Sequence, residues 1–130
     1  PGEEGQAMTR SIYVFSSNRQ GRHGKGAALQ ALLHHGAVYG QAEGLQGDAY
    51  AIVTKELRKK KSGVTLTEVR QGVNTLLTFA KNHPTWNFYL TPIGCGLAGF
   101  EATAIAPLFR YAPKNVILPL MFAEILGTSR

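Results

Sequence analysis

The chain has 130 residues, 44% of them hydrophobic, and 14 Lys and Arg against 8 Asp and Glu give it a formal net charge of +6. That length implies one domain with enough apolar material for a core, and leaves no room for a second globular unit. No apolar stretch approaches the roughly 20 residues of a membrane span, the N-terminus lacks the basic-then-apolar order of a signal peptide, and a single Cys95 excludes an internal disulfide.

The expectation is therefore a soluble, cytoplasmic protein without membrane contacts, whose positive charge favours anionic partners such as nucleotides, nucleic acid or phosphorylated metabolites. Residues 1–7 precede Met8, show no periodicity and read as an expression-tag remnant. Residues 8–130 then read as a single α/β domain.

Ile12, Tyr13, Val14 and Phe15 form an unbroken β-branched and aromatic run, as in a strand buried on both faces. Asn18 stands at the end of that strand. Gly21, Gly24 and Gly26 follow, and helical sequence begins at Ala27. Such a turn exposes unpaired amides and the positive end of a helix dipole, which together favour an anion. Ala28, Leu29, Leu32 and Leu33 suggest one apolar stripe of this helix, ended by Gly36. His34 and His35 sit in its last turn; adjacent helical positions point in different directions, so no metal site is read there.

Residues 37–48 are too rich in glycine for a helix and too irregular for a strand, and read as a long loop whose Gln41, Glu43 or Gln46 could reach a ligand. Residues 50–54 make a second buried strand. It ends at Lys55, on the same edge as Asn18, and leads into a solvated basic run that includes Arg58, Lys59, Lys60 and Lys61. Thr65 and Glu68 have the spacing of a capping box. Behind them Val69, Val73, Leu76, Leu77 and Ala80 keep helical period until His83-Pro84 ends the helix.

Residues 86–90 form a third strand, and a second glycine turn follows with Gly94, Cys95, Gly96, Leu97, Ala98, Gly99 and Phe100. A helix is expected over 101–111, limited by Pro107, then a fourth strand over 116–120 and a closing turn or short helix over 121–126. Alternating strands and helices imply a three-layer α/β/α fold with a central, mostly parallel sheet and right-handed crossovers. In such a sheet both glycine turns open on one crevice, and two facing turns suit a diphosphate-sized ligand.

These two turns resemble those of the macro domains that bind ADP-ribose, in particular the compact macro-like proteins of bacteria and their phages. Val14-Phe15-Ser16-Ser17-Asn18 followed by Gly21 to Ala28 is similar to the family's opening strand and glycine loop, and Ile93 to Phe100 to its second loop. The resemblance spans most of residues 12–120. It implies that Ser17 and Asn18 approach a ribose, that amides around Gly21, Gly24, Lys25, Gly26 and Ala27 and around Gly94, Cys95, Gly96, Leu97, Ala98 and Gly99 bind phosphate, and that Phe100 flanks a sugar.

In a hydrolase reading, Asn18 and His23 would be catalytic, His23 ordering a water. An ADP-ribosyl hydrolase and an ADP-ribose-1''-phosphate phosphatase are the reactions implied. The chain also departs from the family pattern. Ser16 stands where an asparagine is usual, and the charged Arg22-His23-Gly24-Lys25 replaces part of the glycine run. The alternatives are a basic nucleic-acid-binding protein and a phage-type protein that sequesters a nucleotide without turning it over. No cofactor is called for, and the oligomeric state is left open.

Overall fold

The computed structural model describes residues 9–127, and the segment 1–7 read as a tag remnant lies outside them. Five strands form one sheet: β1 (Ser11–Asn18), β2 (Gly44–Gln46), β3 (Ala49–Lys55), β4 (Asn87–Leu90) and β5 (Val116–Ile117), in the order β2-β3-β1-β4-β5. β1 pairs in parallel with both β3 and β4, and β4 in parallel with β5, while β2 runs antiparallel to β3 at the edge.

The period-2 alternation of β1 and β3 sorts their side chains onto two faces. Ile12, Val14, Tyr50 and Ile52 face the larger core, where they meet Val69, Val73 and Leu76 of α2 (Leu66–Lys81) together with Phe88, Phe109 and Phe122. Phe15, Ala49 and Ala51 face a smaller core against Ala28 and Ala31 of α1 (Gly26–His34). Helices thus cover both faces of a mostly parallel sheet.

Four local expectations change. The 37–48 segment, read as a long loop, contains the short strand β2 near its end. The buried face of α1 is Ala28 and Ala31 while Leu33 is 61% exposed, because only small side chains fit between this helix and the alanines of β3. The helix over 101–111 is a four-residue α-turn, α3 (Ala102–Ile105), that tightens into a 3₁₀ turn over Ala106–Phe109, with Pro107 in the first turn of the 3₁₀ segment. The last strand stops at Ile117, since Pro119 starts α4 (Leu120–Leu126).

Among the described residues no helix is long and apolar enough to cross a membrane.

Candidate functional site

The chain leaves β1 towards β3 on one side and leaves β4 towards β5 on the other, so the connections diverge between β1 and β4. Ligands of open α/β sheets bind in the crevice outside the strand ends at such a switch point. A cavity of about 920 Å³ lies there, walled by the ends of β1 and β3, both glycine turns, Tyr39 and Met121.

The first turn is shaped by Asn18. Its carboxamide closes a ring with one residue, Oδ1 accepting from the Arg22 amide at 2.8 Å while Nδ2 donates to the Arg22 carbonyl at 2.9 Å. Gly21 is needed for close approach rather than for ligand: with φ +69° it lies against Gly40, and a Cβ there would fall 2.5 Å from the Gly40 carbonyl carbon. The turn delivers the chain to α1 with its N-terminus uncapped. Lys25 makes no capping side-chain bond, and the amides of Lys25, Gly26, Ala27 and Ala28 have no partner among the described residues. These are the orphan donors every helix start presents, here opening on the cavity.

The second turn is tied to the first strand by Ser16, whose Oγ accepts from the Gly94 amide at 2.8 Å. Thr91 Oγ1 donates to the Val14 carbonyl at 2.7 Å and holds the same junction. Gly94 takes φ +76° and packs under Phe100 and Ile105. Gly96, by contrast, lacks positive φ, and a Cβ there would meet nothing within 4 Å. The amides of Gly96, Leu97 and Ala98 are likewise without partners among the described residues.

Of the residues singled out in the sequence, Ser17, Asn18, Gly24, Lys25, Gly26, Ala27, Gly94, Cys95, Gly96, Leu97 and Ala98 line the cavity. Gly21, His23, Gly99 and Phe100 do not line it. His23 is fully buried, edge-on to Phe15. Gln46 gives its amide hydrogens to the carbonyls of Gln41 and Gly44, so its Oε1 accepts from the Val38 amide and from His23 Nε2 at 3.0 Å. That fixes the His23 proton on Nε2 and leaves a buried Nδ1 without a partner. Gln41 and Gln46 thus brace the 37–48 loop from inside, and the residue of that loop on the cavity wall is Tyr39.

Lys55 lines the cavity, but its ammonium is engaged by backbone. Its ammonium donates to the carbonyls of Glu56, Lys59 and Lys61 and organises the basic loop. Beside it the Glu56 carboxyl is held well below its ordinary range, chiefly by hydrogen bonds from Arg58 and with help from Gln20. Cys95 is half-buried, its thiol donating to the Ile93 carbonyl at 3.4 Å, and burial together with nearby Glu101 pushes its pKa up. A thiol kept protonated is a poor nucleophile.

Ser16, Thr54, Leu57, Thr91, Pro92 and Met121 also form the wall, and of these Thr54, Leu57 and Met121 carry no sequence signal of it. Among the described lining residues none has a carboxylate or an imidazole, whereas Arg22 and Lys25 are exposed cations free of ion pairs.

No family model matches the chain, and no curated protein matches it. Solved structures share its fold. The chain of Thermosipho africanus DarTG in complex with ADP-ribose is 18% identical with a TM-score of 0.60, over 86% of this chain and 36% of that one. This chain therefore spans about a third of that protein's length. A protein of unknown function from Bacteroides thetaiotaomicron is similar over 78% of this chain and 79% of its own, at 18% identity and a TM-score of 0.55. The fold they share is macro-like.

Proposed function

We propose that this chain binds ADP-ribose or a related diphosphate nucleotide in the crevice between its two glycine turns. The observation that carries the reading is the pair of unpartnered amide rows, residues 25–28 and 96–98, opening on one cavity without a single acidic side chain on its described wall. Amides aimed into a site from a helix start and a tight loop favour phosphate oxygens. The macro-like fold adds support, since the DarTG structure that shares it holds ADP-ribose.

Binding, rather than hydrolysis, is the activity this wall suits. A general base must reach the water it activates, and among the described residues the cavity offers neither carboxylate nor imidazole.

Thermal denaturation with and without ligand tests the proposal. ADP-ribose at a hundredfold excess over its Kd should stabilise the fold by about 2.7 kcal/mol, and adenine alone should do less, because the cradle is built for phosphate. No shift with any diphosphate nucleotide at millimolar concentration would sink it.

A further inference from the structure

The cavity has two apolar ends. Tyr39 and Leu57 stand by the first turn, where Gly40 bonds to Gly21 and the Leu57 amide to Gln20, while Leu97 follows β4 and Met121 follows β5; all four are on the wall and exposed by 60%, 38%, 69% and 42%. The amide rows, Arg22 and Lys25 line the same cavity. Three strand spacings separate β3 from β5 in the sheet order, about 14 Å. Large apolar side chains left open around a pocket mark where a ligand's apolar surface rests, and a nucleotide has such a surface in the face of its base.

ADP-ribose has one base and would cover one end only. The geometry points to a two-base ligand: a dinucleotide whose diphosphate lies on the two turns and whose bases rest on Tyr39 with Leu57 at one end and on Leu97 with Met121 at the other. This rests on the diphosphate reading of the site given above. The polar side chains of the wall add a second argument. Ser16, Ser17, Asn18, Thr54, Lys55 and Thr91 each hydrogen-bond to backbone of the protein. Apart from the exposed cations Arg22 and Lys25, little is left to read the edge of a base, so bases are held by their faces and the class is dinucleotides of relaxed base identity.

Diadenosine diphosphate is the suitable probe, because it is ADP-ribose with a second adenine in place of the anomeric hydroxyl. In calorimetric titrations of the unmodified chain it should bind about tenfold tighter than ADP-ribose, from one more base face removed from water. Two double variants at exposed positions, Tyr39→Ala with Leu57→Ser and Leu97→Ser with Met121→Ser, should each bring the two ligands to within about twofold of each other. Equal affinities in the unmodified chain would overturn the two-base ligand, as would a gain that survives either double variant. Should ADP-ribose itself fail to bind the unmodified chain, the diphosphate reading falls instead, so the two failures are separable.

Discussion

Asn18 closes the first glycine turn with both ends of its carboxamide, so removing that group strands the Arg22 amide and carbonyl together. Asn18→Ala should cost about 1–3 kcal/mol of stability for partly buried groups left unpaired. Since the turn also aims the amides of α1, ADP-ribose and pyrophosphate should weaken in parallel, which calorimetry with both ligands would read. A loss confined to ADP-ribose would mean that the carboxamide meets the ribose directly and the turn survives without it. The glycines of the second turn separate fold from site more sharply. At Gly96 the backbone is ordinary and a Cβ would enter open cavity, so Gly96→Val should change stability by less than about 0.5 kcal/mol. It should weaken ADP-ribose at least about tenfold by filling the space beside the amides. At Gly94 the φ of +76° and the 3.2 Å that an added Cβ would leave to Phe100 reverse the order, and Gly94→Ala should lower the melting temperature first. Gly96→Val that binds normally would make this turn a mere corner.

The element read most fully from sequence is α2. Its capping box is present, Thr65 Oγ1 accepting from the Glu68 amide at 3.1 Å while Glu68 Oε1 accepts from the Thr65 amide at 2.9 Å. What the spacing could not reveal is that Glu68 also takes a 2.6 Å bond from Arg19, tying the helix start to the residue after β1. The Thr65 amide first, then Arg19, lower the Glu68 pKa from 4.5 to about 2. A depressed carboxyl stabilises the fold above its unfolded pKa and loses that contribution as pH falls through the folded value. The melting temperature should therefore hold from pH 7 to about 5 and decline from about 4.5 towards 2, more steeply in the native chain than in Glu68→Gln. Parallel curves would remove Glu68 as a source of the slope. The strands β1, β3 and β4 were legible for a similar reason, each being an apolar run long enough to outweigh its neighbours. β2 was not, because Gly44, Leu45 and Gln46 acquire strand character only by pairing with β3. The stripe of α1 misled because leucines mark a helix face in general, whereas here the alanines of β3 demand small partners. In the site, glycines show themselves by spacing, but Tyr39, Leu57 and Met121 reach the cavity from three separate segments, and nothing local links them.

Charge is the property of the molecule as a whole, and it acts in two places that salt can tell apart. The net charge of +6 is concentrated in part on the loop where Lys55 gathers three carbonyls inward and leaves Lys59, Lys60 and Lys61 exposed. Arg58 is 81% exposed yet engaged by Glu56, so it is the less available of the four cations. Nearer the cavity, Arg22 and Lys25 add to the positive field at the start of α1. A ligand held by amides inside a cavity exchanges few counterions, whereas a polyanion lying across exposed lysines releases several, and its log affinity falls in proportion to log salt with a slope of about 0.7–0.9 per phosphate engaged. Between 50 and 200 mM salt, an ADP-ribose site of the proposed kind should lose affinity by no more than about tenfold, while contact of a nucleic-acid strand with six or more phosphates would cost on the order of a thousandfold. Titrations of ADP-ribose and of a single-stranded oligonucleotide across that range measure both slopes. An oligonucleotide that binds at 200 mM salt with a slope below about 2, and competes with ADP-ribose, would place nucleic acid in the cavity itself and count against the loop as its only route of contact.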